Sequence, residues 1–237
     1  MFDLIKTLLG SGDDEHNLLL QARAQLLTSL DESKTLLGEI VESIPEATFA
    51  DDLEQRARSV DKASNKAERE IRKLLVEHLS FRSFDVPAGL VMMSVAKDME
   101  RLVDEVRNLS EVGLALVADL DVTYRQRLHA LAQEVFESMD RTCQAFRDNN
   151  EALALDLVEH EKPYIARVHE LGDAVQADEG LGVKRAVLLS RGIHVLHRLR
   201  AHLSNIASTI VFPVHRIDFA KRSYVRQARQ ELGLDEG

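Results

Sequence analysis

Glu100 and Asp104 stand four positions apart, and Asp61, Asn65 and Glu68 repeat a similar spacing upstream. On a helix, residues i, i+4 and i+7 share one face, so each set would line up its polar groups along the axis. Carboxylates projecting from adjacent helices are how bundle proteins hold iron, manganese or magnesium. With Lys97 and Arg101 beside them, the same acids also describe a solvated, ion-paired helix face. Both readings stay open on spacing alone.

A second set lies far downstream. His194 and His197 are three positions apart, so one ion could touch both, and neutral imidazole suits zinc or iron. Arg191, Arg198 and Arg200 surround them, however, and positive charge favours an anion or an acidic partner surface instead. A plain solvated face is the third reading. Cys143 has no His or Asp motif around it and is expected to be a buried, inert thiol. Met92, Met93 and Met99 fall at core spacing. Neither a Gly-rich phosphate loop, nor a Ser-centred elbow, nor an HExxH motif is present.

The elements that must position these residues read as helices throughout. Apolar stripes predict helices over 18–37, 45–79, 91–116, 128–146, 150–176 and 184–211, because apolar residues recur at spacings of three and four. Between the second and third, 80–89 is a connection, with Asp85 as N-cap and Pro87 in the first turn. Pro163 should kink the fifth helix by removing a backbone donor, and Pro213 should end the sixth. The basic tail 216–232 is helix-compatible, and the apolar positions of 2–9 suit either a docking helix or a frayed first turn.

Two of these helices echo each other. Arg101, Leu102 and Asn108 align with Arg198, Leu199 and Asn205 at an offset of 97 positions. Glu100 and Asp104 become His197 and Ala201, so the second copy has lost its acid pair. A repeat of this length means one supersecondary unit used twice. Two antiparallel three-helix bundles placed end to end are the simplest all-α architecture, divided as 1–13, 14–118, 119–215 and 216–237.

Composition agrees. Among 237 residues there are 11 Gly, 4 Pro and no Trp, which leaves little material for turns or strands. With 30 Lys and Arg against 40 Asp and Glu, the net charge of −10 argues against nucleic acid as a partner. One cysteine excludes an intramolecular disulfide, no apolar run approaches the ~20 residues of a bilayer span, and the acidic start is unlike a secretory signal. The protein is expected to be cytoplasmic, peripheral to the membrane at most.

The segment KDMERLVDEVRNLSE (97–111) resembles the signature helix of the PhoU family of phosphate-uptake regulators, matching its acid-x-x-x-Asp motif and following Asn with Glu100, Asp104 and Asn108. Asp61 with Asn65 is similar to the family's second motif, with Asn replacing the second acid. The resemblance covers about 14–215. It implies two three-helix repeats and a homo-oligomeric, dimer-like regulator that binds a phosphate transporter or its sensor kinase and does no covalent chemistry. No cofactor is then required. A divalent or iron-type metal ion would sit in repeat one on Asp61, Asn65, Glu68, Glu100 and Asp104. The preferred partner surface is Arg191, His194, His197 and Arg198, where charge reversal at Arg198 should leave thermal stability almost unchanged. The alternatives are a metal store or metal-dependent enzyme built on the repeat-one carboxylates, and a ligand-free structural dimer.

Overall fold

The computed structural model describes residues 18–234, and the 2–9 segment read as a docking helix lies outside them. Every regular element among the described residues is helical: α1 (Leu18–Ser43), α2 (Leu53–Phe81), α3 (Val86–Leu116), α4 (Val122–Asp148), α5 (Glu151–Glu159), α6 (Glu161–Ala177), α7 (Val183–Val211) and the short α8 (Arg222–Glu231).

The boundaries follow local chemistry. Asp121 caps α4 by accepting from the Thr123 amide at 2.8 Å, and Asn150 caps α5 by accepting from Leu153 at 3.0 Å. Between α4 and α5, Asn149 takes a left-handed φ of 50°, which ends the first helix. The second helix begins at Leu53 rather than near residue 45. Pro45 and a left-handed Ala47 (φ 53°) interrupt the chain there, and a left-handed residue cannot continue an α-helix. The expected kink at Pro163 is a break three residues earlier. Pro163 has no N–H for the Glu159 carbonyl and its ring crowds that oxygen, so α5 stops at Glu159 and α6 restarts at Glu161.

Asp85 occupies the N-cap position of α3 but makes no capping bond. It is fully buried and meets His78 Nε2 of α2 at 2.8 Å, which ties the end of one helix to the start of the next.

Helices α1, α2 and α3 pack as one bundle, and α4 through α7 as another. The bundles lie flank to flank, not end to end. The most extensive interface among the described residues joins α3 to α7, and a second contact joins α1 to α4. Contacts of Asp98 with His202, of Glu105 with Arg198 and of Glu111 with Arg191 show that α3 and α7 run antiparallel. Gly192 permits their approach, since a Cβ there would lie 3.1 Å from Val112 Cγ1. The echoed stripes are both part of the buried core. Val95, Met99, Leu102 and Val106 face inward from α3, and Leu196, Leu199, Leu203 and Ile206 from α7, all buried. One continuous apolar core therefore runs through both repeats.

Candidate functional site

The five repeat-one residues singled out by spacing all lie where α2 packs on α3, but they separate into two ion-pair clusters. Arg107 organises one of them. Its guanidinium reaches Asp61 Oδ2 at 3.0 Å and Asp104 Oδ1 at 2.7 Å, with Glu111 at 3.8 Å. Asn65 donates to the Asp61 backbone oxygen at 2.9 Å and to its Oδ1 at 3.3 Å, so its amide steadies this carboxylate. Lys97 organises the other, with Glu100 Oε2 at 2.9 Å and Glu68 Oε1 at 3.7 Å, while Arg72 approaches the same Glu68 oxygen at 2.7 Å.

This arrangement does not fit a metal. Each of the four carboxylates already has a cationic side chain beside it, and no group of three or more acidic, His or Cys side chains converges as a ligand set among the described residues. A cation would have to displace Lys97 or Arg107 to reach them. The sequence reading missed Arg107. Its signal was there, because Asp104 and Glu111 lie three and four positions away on the same helix.

The α7 residues also divide. Arg191 pairs with Glu111 at 2.9 Å, and Arg198 with Glu105 at 3.0 Å, both across the α3 interface. Glu105 is 2% exposed, so Arg198 neutralises a buried carboxylate. His194 and His197 line a cleft of about 280 Å³ against α6, together with His169 and Asp173. The His169 and His197 rings meet edge to face at 6.5 Å. Burial, then the nearby His194 and His169, hold the His197 imidazole below its ordinary value, with Glu161 opposing them. Arg200, grouped with these residues in the sequence, is buried against α5, where it donates to the Leu157 carbonyl.

A polar cluster that the apolar pattern conceals sits deeper in the α3–α7 interface. Asp98 Oδ1 lies 2.9 Å from His202 Nδ1 and accepts from Asn205 Nδ2 at 3.1 Å. Asp98 and His202 are both buried, and Asp218 lies close enough for Asp98 to raise its carboxyl, after burial. Asn205 was visible as part of the echo; its partner was not. Cys143 is the inert thiol expected of it. It is 1% exposed, and burial pushes its pKa up to about 11.

The crystal structure of PhoU from Pseudomonas aeruginosa superposes with a TM-score of 0.72 over 84% of this chain and 97% of its own, at 19% identity. The phosphate transport system regulatory protein PhoU from Streptococcus pneumoniae gives 0.72 over 86% and 96%, at 14% identity. This chain has the PhoU fold. No family model matches the sequence, nor does any curated protein. Coverage of nearly the whole of both PhoU chains means that both repeats and their antiparallel α3–α7 seam belong to the shared fold. At this identity the likeness is one of fold, and Glu100 and Asp104 of α3 serve as ion-pair partners in this chain.

Proposed function

We propose that this protein regulates inorganic phosphate uptake as an adaptor, binding a phosphate transporter or its sensor kinase through helix faces. The whole-chain likeness to two PhoU proteins carries this reading, one of them a phosphate transport system regulator. The acidic net charge and the ion-paired helix faces suit protein contact better than nucleic acid or chemistry. No helix among the described residues is long and apolar enough to cross a membrane, so contact with a transporter would be made from one side. A cytoplasmic, homodimeric regulator without covalent chemistry is the form this takes. The exposed face around His194 and Arg191 is the proposed contact surface.

Deletion of the gene should change phosphate uptake, and the purified protein should capture a phosphate transporter or its kinase. Binding should weaken as salt rises, because exposed charges are screened within ~10 Å at 0.1 M. His194→Glu should reduce capture without changing stability. Unaltered phosphate handling in the deletion strain would refute the regulator reading. The metal-store alternative makes a different prediction for the same preparation: metal bound in proportion to protein and lost in Glu100→Ala. The Lys97 and Arg107 pairs lead us to expect equal, sub-stoichiometric metal in both.

A further inference from the structure

The break between α5 and α6 opens a cleft of about 220 Å³, several times the roughly 30 Å³ of one water molecule. Its polar lining comes chiefly from Glu134, Glu137, Arg141, His160, Arg167 and Arg200. Arg200 is the unusual member. It is 2% exposed, and its Nη2 donates to the Leu157 carbonyl near the end of α5, while its buried Nη1 has no hydrogen-bond partner. Arg141 and Arg167 in the same cleft are ion-paired with Asp156 and Glu134; Arg200 has no acidic partner within ion-pair distance among the described residues. A guanidinium removed from water and left with an unused donor is costly unless something supplies an acceptor.

We propose that this cleft binds a small oxyanion that carries a proton, with inorganic phosphate as its type. The Leu157 bond anchors one edge of the guanidinium at the cleft wall and leaves the buried Nη1 as its unused donor, which an acceptor entering beside it would satisfy. A fully ionised oxyanion would meet the carboxylates of Glu134 and Glu137 on α4 unfavourably. A hydrogen phosphate can accept from Arg200 and donate to a carboxylate, whereas sulfate at neutral pH has no proton to donate. Glu137 suits that role: its Oε1 accepts from Gln133 at 3.2 Å and its side chain is exposed at the cleft. The choice of phosphate within this class rests on the regulator reading; the demand for an acceptor at Arg200 does not. The cleft lies in the second repeat, away from the acid motif of the first.

Calorimetric titration of the full chain at low ionic strength and neutral pH, with inorganic phosphate and then sulfate, tests this. One saturable site per chain is expected, preferring phosphate by at least about tenfold, the worth of one good hydrogen bond to a charged group. Arg200→Met should abolish binding. If that variant fails to fold because Leu157 loses its donor, Glu137→Gln provides the second arm: it removes a carboxylate at an exposed position and should erase the preference over sulfate. No saturable binding up to about 10 mM phosphate, ten times weaker than a millimolar site, overturns the proposal and leaves Nη1 to a buried water. Equal binding of sulfate and phosphate by the unaltered protein, or undiminished phosphate binding by folded Arg200→Met, overturns it too. Absence of binding alongside altered uptake in the deletion strain defeats this inference alone; binding with unaltered uptake defeats the regulator reading alone.

Discussion

Arg198 shows how far a residue's environment can depart from its sequence neighbourhood. Among histidines and arginines on an amphipathic helix it reads as an exposed docking cation whose reversal costs no stability. In the fold it is the ion-pair partner of Glu105, whose Oε1 has no hydrogen bond of its own and is 3.0 Å from Arg198 Nε. Arg198→Ala should therefore destabilise the protein by about 1–3 kcal/mol in chemical denaturation, because a buried carboxylate loses its cation. Arg198→Glu should cost more, by placing a second negative charge there. A melting curve unchanged by either substitution would show that Glu105 is satisfied in some other way. His197 makes a complementary prediction in pH. Its imidazole is held below 6.5 by burial and by His194 and His169, with Glu161 opposing them. A group with a depressed folded value favours its neutral form. Its contribution is thus fully present above pH 6.5 and is lost as pH falls toward the folded value. His197→Gln should flatten the fall in thermal stability across that acidic window, and an identical pH profile for both proteins would remove His197 as the source.

At the scale of elements, the helices themselves were legible because every one buries an apolar stripe with helical period, and stripes survive single polar intrusions. What the sequence hid were the joints. The start of α2 slipped because Ala47 gives no sign that it will adopt a left-handed conformation; Asn149, a residue type that tolerates φ > 0, did announce the end of α4. Asp85 looked like an N-cap and stands at that position, yet its side chain serves the α2–α3 joint instead of the helix end. That joint can be tested. His78→Ala should leave Asp85 fully buried without its ring partner, at about 1–3 kcal/mol by the penalty for an unsatisfied polar group. The double variant with Asp85→Ala should recover much of the loss, because removing both partners abolishes the orphan. Additive losses in that cycle would mean that the two side chains act independently. The candidate site was legible in the same partial way. Spacing found the acids Asp61, Glu68, Glu100 and Asp104, since they lie on two faces that do meet. Spacing shows Lys97 beside Glu100 and Arg107 beside Asp104 on α3; it could not show that the same two cations also reach Glu68 and Asp61 on α2, because this depends on the rotation of α2 against α3.

The whole molecule is governed by the seam between repeats. A tandem duplication suggests two units that fold separately, joined like beads. Instead α3 and α7 are packed antiparallel against each other, and Leu102 and Leu199, equivalent positions in the two copies, are both completely buried in a core common to both bundles. Neither repeat can expose this face without uncovering large apolar area, which at roughly 25 cal/mol per Å² forbids a stable half-folded state. Thermal unfolding should accordingly be a single transition, with calorimetric and van't Hoff enthalpies in agreement. Leu199→Ala tests this directly, because Leu199 is completely buried in that common core. It should lower the stability of the entire chain by ~2–5 kcal/mol and move the unfolding of repeat-one and repeat-two probes together. Hydrogen exchange can follow each repeat separately in the same sample: protected amides of α2 and of α6 should lose protection by equal free energies in the variant. If α6 loosens while α2 keeps its protection, the repeats are independent folding units and the seam is only a docking contact.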